Sequence, residues 1–220
     1  DAAIDGYGVE AHGPLPPTIW GYWEGVEDIS YKYDPQKAAE LLDDAGWELP
    51  EGEQYRRKGD EVLELSLYIM PADDWVITSE MLQAQWKDIE VKVDIESYEV
   101  GTLMEYLSEG RHDLNLMGYG STDPDCLYGF FHSEEAGAGV NWCFVRDSDI
   151  DAALEGQRYT VDPDERLTHI TEAQRLTVER ATWAPIYIRE NYVAVNKRVQ
   201  GFGLSYSGAW LLHDVWLDGE

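Results

Sequence analysis

Basic side chains are what this sequence has least of: 16 lysines and arginines stand against 44 aspartates and glutamates in 220 residues, a formal net charge of -28. A duplex-binding surface needs a Lys/Arg face to neutralise phosphates. The richest basic cluster, Arg56-Arg57-Lys58, is hemmed in by Glu53, Asp60 and Glu61, which excludes nucleic acid as a partner and fits a hairpin tip. No run of 18 apolar residues occurs, so no membrane-spanning helix is expected. Cysteine is limited to Cys126 and Cys143, too few for a zinc site. They are read either as one disulfide of an exported protein or as two buried thiols. A Gly-rich phosphate loop, a nucleophile elbow and histidines at metal-ligand spacing are also lacking, so no cofactor and no metal is expected. The chain starts at Asp1 without a methionine or an apolar leader and reads as cut from something longer.

What is present is core material. Nine Trp, 14 Tyr and 44% hydrophobic residues argue that the acid coats a folded surface rather than a disordered chain. Such a coat repels itself in dilute buffer and is tolerable where molar salt shortens the Debye length to about 3 Å, so a salt-loving habitat is expected. With so many acids, carboxylate pairs such as Asp73/Asp74 and Asp147/Asp149 arise by composition and do not by themselves define a hydrolase.

Along the chain, residues 1–29 carry five Gly and three Pro without a sustained period and read as an irregular arm. Asp34 as N-cap, Pro35 in the first turn, apolar Ala38, Leu41, Leu42 and Ala45, and a closing Gly46 define a helix against which Trp47 packs back. After a polar hairpin at Lys58-Gly59-Asp60, the alternation of Leu63, Leu65, Leu67 and Ile69 predicts a strand over 62–70. A helix over 73–89 follows, with Ile77, Met81, Leu82 and Ile89 inward, then a strand through Val91, Val93 and Ile95. A short helix over 100–109 with Leu103, Met104 and Leu107 inward leads to a third strand over 113–119. This order implies an α/β fold with a mainly parallel sheet flanked by helices. Helices over 149–157 and from Asp162 to before Pro185 come next, the second with a capping box closed by Glu165, and a strand or hairpin is expected over 186–196. The tail from Gly201 is poorly patterned.

The segment Met117-Gly118-Tyr119-Gly120-Ser121-Thr122-Asp123-Pro124-Asp125 leaves the carboxyl end of a parallel strand, the edge at which open α/β sheets bind ligands. Gly118 and Gly120 allow close approach to backbone groups, Tyr119 offers an aromatic face, and Asp123 either accepts hydrogen bonds from a ligand amine or caps the segment 124–131. Trp75 and Trp142 are candidates for stacking on a ligand, or for packing.

Several motifs together resemble the peptide and nickel group of ABC-importer solute receptors, extracellular solute-binding protein family 5. They include Gly13-Pro14-Leu15-Pro16-Pro17, the run from Tyr33-Asp34-Pro35 to Ala45-Gly46-Trp47, Met81-Leu82-Gln83-Ala84-Gln85-Trp86, the loop 117–125, Asn141-Trp142, Asp164-Glu165-Arg166, Glu172-Ala173-Gln174, Pro185-Ile186-Tyr187 and Val199-Gln200-Gly201-Phe202. The resemblance implies one lobe of a two-lobed, periplasmic-binding-protein-like receptor: 1–29 an arm from the hinge or other lobe, 30–200 the solute-binding lobe, and 201–220 a tail returning toward a lobe not in this chain. It implies an extracellular, non-enzymatic, monomeric receptor that binds a peptide or an oligosaccharide and delivers it to an ABC permease. Membrane association would come only through a segment absent here, as in a lipoprotein. In dipeptide-binding relatives an aspartate of this loop holds the ligand amine, and Asp123 is the nearest match; the arginine those relatives place after the first strand has no counterpart at Met70-Pro71-Ala72-Asp73. A carboxylate-pair hydrolase and a pure protein-interaction module are the rival readings.

Overall fold

A computed structural model describes residues 4, 6–205 and 208–219; positions 1–3, 5, 206, 207 and 220, at the ends of the expected arm and within its tail, lie outside the described residues. Helices in chain order are α1 (Val26–Ile29), α2 (Pro35–Asp44), α3 (Asp73–Lys87), α4 (Val100–Ser108), α5 (Cys126–Phe131), α6 (Ser148–Tyr159) and α7 (Pro163–Glu179). Strands are β1 (Gly8–Glu10), β2 (Arg57–Lys58), β3 (Glu61–Val62), β4 (Glu64–Ile69), β5 (Lys92–Ser97), β6 (Leu114–Asn115), β7 (Tyr187–Arg189), β8 (Val199–Gln200), β9 (Gly203–Leu204), β10 (Trp210–Leu211) and β11 (Trp216–Leu217). The chain divides into two compact units, one of Tyr31–Gly118 with Glu134–Phe144 and one of Asp1–Ser30, Tyr119–Ser133 and Val145–Glu220.

The first of these holds the expected α/β core, a parallel sheet of order β5-β4-β6. Register pairs Leu65 with Val93, and Leu67 with Ile95 on one side and Leu114 on the other. Alternation does what the sequence implies: Leu63, Leu65, Leu67 and Ile69 share one cluster with Val91, Val93 and Ile95, while Tyr68 turns to the opposite face against Leu103 and Leu107 of α4. Fully burying each such aliphatic side chain contributes about 1.5–3 kcal/mol. Asp34 caps α2 by accepting the Lys37 N–H at 2.8 Å, Gly46 takes a φ of +84° at the helix end, and Trp47 joins the cluster beside Leu42.

Three expectations for this unit are corrected. In α3, Ile77 and Met81 are exposed and Thr78 and Ser79 are buried. The face turned to the sheet carries Val76 and Trp86, with Gln83 donating to the Val93 carbonyl at 2.7 Å, so a polar side chain holds a place that an apolar period would assign to Met81. Leu41 of α2 is likewise exposed. The third strand is only two residues long, because the Asp113 carboxylate takes over the pairing at its start, accepting from the Ser66 N–H at 2.8 Å and the Ser66 hydroxyl at 2.9 Å.

The basic tip also differs from its reading. Lys58-Gly59-Asp60 does turn between β2 and β3, but Arg56 is buried: its guanidinium donates to the Asp43 carboxylate, the Trp47 carbonyl at 2.9 Å and, through Nε, the Ile89 carbonyl at 2.9 Å. One side chain thus ties α2, the hairpin and the end of α3.

In the other unit α6 and α7 form a helical hairpin capped by Asp147 and Asp162. Glu165 does not close a capping box; its carboxylate accepts from the Thr160 hydroxyl at 2.9 Å. The amino-terminal segment is no loose arm. It forms β1 and α1, and Leu15 and Ile19 are buried with Leu127, Phe131, Ile150, Leu154 and Ile170. Buried Gln174 of α7 fixes it, donating to the Gly21 carbonyl at 2.7 Å and accepting from the Trp23 N–H at 3.3 Å. The strand or hairpin expected over 186–196 is reduced to β7, which pairs antiparallel with β1. The tail forms two short antiparallel ribbons, β8 with β11 and β9 with β10. No disulfide joins Cys126 and Cys143, and the reading as two buried thiols fails as well, since Cys143 is exposed. No helix among the described residues is long and apolar enough to cross a membrane.

Candidate functional site

The expected site residues fall in both units, with Gly118 the last residue of one segment and Tyr119 the first of the next. In the sheet unit, β4 runs out at Ile69, the Met70-Pro71 turn follows, and α3 begins at Asp73, which places Trp75 in its first turn. The indole lies against Gly118: a Cβ built there would sit 3.3 Å from Trp75 Cη2. Gly118 therefore makes room for Trp75, and the two form one corner at the carboxyl edge of the sheet.

Trp142 lies elsewhere in that unit. It packs on the Tyr68, Leu103 and Leu107 cluster, and its carbonyl is 3.0 Å from His112 Nε2. Burial pushes the His112 pKa below its ordinary value, against the opposing pull of the Trp142 carbonyl and of Asp113. The packing alternative thus describes what the Trp142 side chain does here. Among the described residues, His112 Nδ1 and Trp142 Nε1 are both buried without a hydrogen-bond partner.

In the other unit the Tyr119 ring packs against Phe130 at 4.6 Å and Trp183 at 5.7 Å between centroids. Its hydroxyl donates to the Pro14 carbonyl, and burial, followed by the Cys126 charge, raises its pKa. Gly120 faces open space, with nothing within 4 Å of a Cβ built on it. Asp123 makes a local turn, its Oδ1 accepting the Asp125 N–H at 2.9 Å, and the same oxygen accepts from Arg166 Nη2 at 3.1 Å. The residue at the N-cap position of α5 is Asp125, which makes no side-chain cap; its carboxylate is turned to α6 instead.

There the sequence reading missed a network. Asp125 accepts from Arg158 Nε at 2.6 Å and Nη2 at 2.8 Å, a two-point carboxylate contact, and from Gln157 Nε2 at 2.8 Å. Gln157 Oε1 in turn accepts from Arg166 Nη2 at 3.3 Å. The Arg158 guanidinium lies 3.2 Å from the Tyr128 ring centroid, and Arg166 lies 5.2 Å from that of Trp20. Asp123, Asp125, Gln157, Arg158 and Arg166, with Trp20, line an open groove of about 800 Å³. Opposite charge was the available signal, but partners 33 and 43 residues apart cannot be matched by spacing. Among the described residues no three His, Cys, Asp or Glu side chains converge as metal ligands.

A parallel sheet whose carboxyl edge ends in a glycine-bearing loop is a ligand-binding architecture, and comparison with known proteins gives it a class. The chain belongs to the bacterial extracellular solute-binding proteins, family 5, whose middle region matches residues 1–138. Di/tripeptide-binding protein 1 of Pseudomonas aeruginosa is 31% identical over 98% of this chain and 39% of its own length. The dipeptide-binding protein of a Pseudoalteromonas species, solved in complex with Met-Leu, superposes with a TM-score of 0.79 at 25% identity, covering 98% of this chain and 41% of that one. An oligopeptide-binding protein of Bacillus subtilis, solved with a nonapeptide, has the same fold, with a TM-score of 0.85 at 22% identity over 99% of this chain and 44% of its own. The chain thus spans about two fifths of the length of the relatives it matches. The family consists of binding proteins rather than enzymes, and its members are periplasmic or extracellular.

Proposed function

We propose that this chain is part of a monomeric extracytoplasmic receptor that binds a peptide between two lobes and delivers it to an ABC permease. The observation that carries the reading is the corner of Trp75 on Gly118 at the carboxyl edge of a parallel sheet, in a chain of the solute-binding family. Gly118, Tyr119 and Gly120 supply backbone and aromatic contacts to the solute, Trp75 an apolar wall, and Asp123 a carboxylate for a ligand amine. Asp73 and Asp74 open the helix after Met70-Pro71, and no guanidinium is present in that turn to hold a peptide carboxylate. Exposed Trp210, Leu212, Trp216 and Leu217 support the reading of the tail as chain that continues toward the rest of the receptor. Location at the cell surface, anchorage as a lipoprotein and life in high salt belong to the same proposal.

Native mass spectrometry of the full-length receptor, purified in high salt, tests it. A co-purifying peptide mass that is lost on unfolding and regained on adding peptides is expected. A receptor that carries no solute and takes up none, or that turns over peptide or glycoside substrates, refutes it.

A further inference from the structure

We infer that Gln157, Arg158 and Arg166 are positioning residues for solute binding, holding the loop of residues 119–125 in the shape that meets the solute. This rests on the reading of that loop as solute-contacting. The loop is tied at one end by the Tyr119 hydroxyl on the Pro14 carbonyl and at the other by two carboxylates, Asp123 on Arg166 and Asp125 on Arg158. Between them Ser121 makes local ties: its hydroxyl donates to the Asp123 carbonyl at 2.9 Å, accepts the Asp123 N–H at 3.2 Å and bonds the Cys126 thiol. Gly120 and Thr122, both exposed, are thereby suspended between fixed ends.

Gln157 makes the two ion pairs one device. It is 2% exposed, and its amide gives a hydrogen to Asp125 while its oxygen takes one from Arg166, so neither arginine moves without disturbing the other's partner. Aromatic faces restrict both guanidiniums further: Tyr128 under Arg158 and Trp20 by Arg166. An arginine that only decorates a helix pairs locally, as Arg175 does with Glu172 and Glu179 three and four residues away. Arg158 and Arg166 reach 33 and 43 residues back, to the two aspartates flanking Pro124. Holding a loop in its bound shape lowers the ordering cost of binding, so the network acts on affinity without touching the solute.

The test uses the full-length receptor, calorimetry with the dipeptide Met-Leu and with a tryptic casein digest as probes, and hydrogen exchange of the Asp123 and Asp125 amides, which donate to the Ser121 hydroxyl and to Asp123 Oδ1. Gly120→Trp, which adds bulk in open space, is expected to abolish binding of the probe peptides with unchanged exchange in α6 and α7. If it does not, the loop does not meet the solute, and the reading beneath the inference fails. Gln157→Met and Arg158→Gln are expected to raise exchange at the Asp123 and Asp125 amides at least tenfold and to weaken binding at least fivefold, with protection in α3 and β5 unchanged. Arg158→Lys, which keeps the charge and loses the two-point contact, should fall between wild type and Arg158→Gln. Unchanged exchange at the Asp123 and Asp125 amides, or faster exchange with undiminished affinity while Gly120→Trp abolishes binding, overturns the inference. Arg166→Gln, with an exposed partner in Asp123, carries the same two readouts if the Gln157 variant does not fold.

Discussion

Removing the Arg56 side chain should cost this protein more than removing the acid it is paired with. Arg56 is 6% exposed in its side chain, and besides Asp43 it serves the carbonyls of Trp47 and Ile89. Arg56→Met fills the space but leaves those two acceptors without their donor, at about 1–3 kcal/mol each for a buried unsatisfied group. The ion pair with Asp43 contributes little, because Asp43 is 59% exposed and a pair open to solvent is worth roughly 0–1 kcal/mol, and Arg56→Met also gives up a 3.5 Å contact with Glu90 of the same order. Arg56→Met should therefore lose about 2–6 kcal/mol and Asp43→Ala at most about 1 kcal/mol. At about 2–4 °C per kcal/mol for a chain of this size, the first lowers the melting temperature by roughly 4–24 °C and the second by under about 4 °C. Urea unfolding followed by far-ultraviolet circular dichroism, at low and at molar KCl, measures both. The gap between the variants should persist in high salt, since a hydrogen bond to a carbonyl is not screened as surface charges are. Equal losses in the two variants, or an Arg56 effect that vanishes in salt, would refute the carbonyl argument.

Two further outcomes are expected. Burial holds the His112 pKa below its ordinary 6.5, so the unfolded chain takes up the proton first as pH falls. Stability that is complete above about pH 6.5 should decline below it until the lower native pKa is reached, and His112→Gln should lose this part of the pH dependence; parallel urea titrations of the two proteins from pH 7.5 to 4.5 would show the difference. With a net charge of -28, melting should rise markedly between 0.1 and 1 M KCl as the Debye length shrinks from about 10 to 3 Å, and a flat calorimetric melting temperature would remove the salt-loving reading.

The parallel sheet could be read in advance because its information is local: alternation sets the inward face of β4 and β5, and Asp34-Pro35 and Asp162-Pro163 announce helix starts that the structure confirms. What escaped depends on partners far along the chain. Nothing near Leu15 or Ile19 says that α6 and α7 will cover them, and nothing near Gln174 says that Gly21 will be its acceptor. Helix α3 misled for a different reason: Gln83 satisfies a strand carbonyl, so polarity was a poor guide to its buried face. At the candidate site, the loop and its glycines were legible from the strand that feeds them. Whether Asp123 was held by another residue was not, because its arginine lies 43 residues on, beyond α5 and α6.

The bond from Gln174 to Gly21 closes a stretch of 153 residues, and that length becomes a waiting time when the chain is made. At about 5–20 residues per second, Gly21 leaves the ribosome roughly 8–30 s before Gln174 does. Through that interval Leu15 and Ile19 have no α6 or α7 to meet, whereas α3, β4, β5 and β6 find one another within a single contiguous run. Leu15 and Ile19 thus stay open to holding factors and proteases longer than the parallel sheet does.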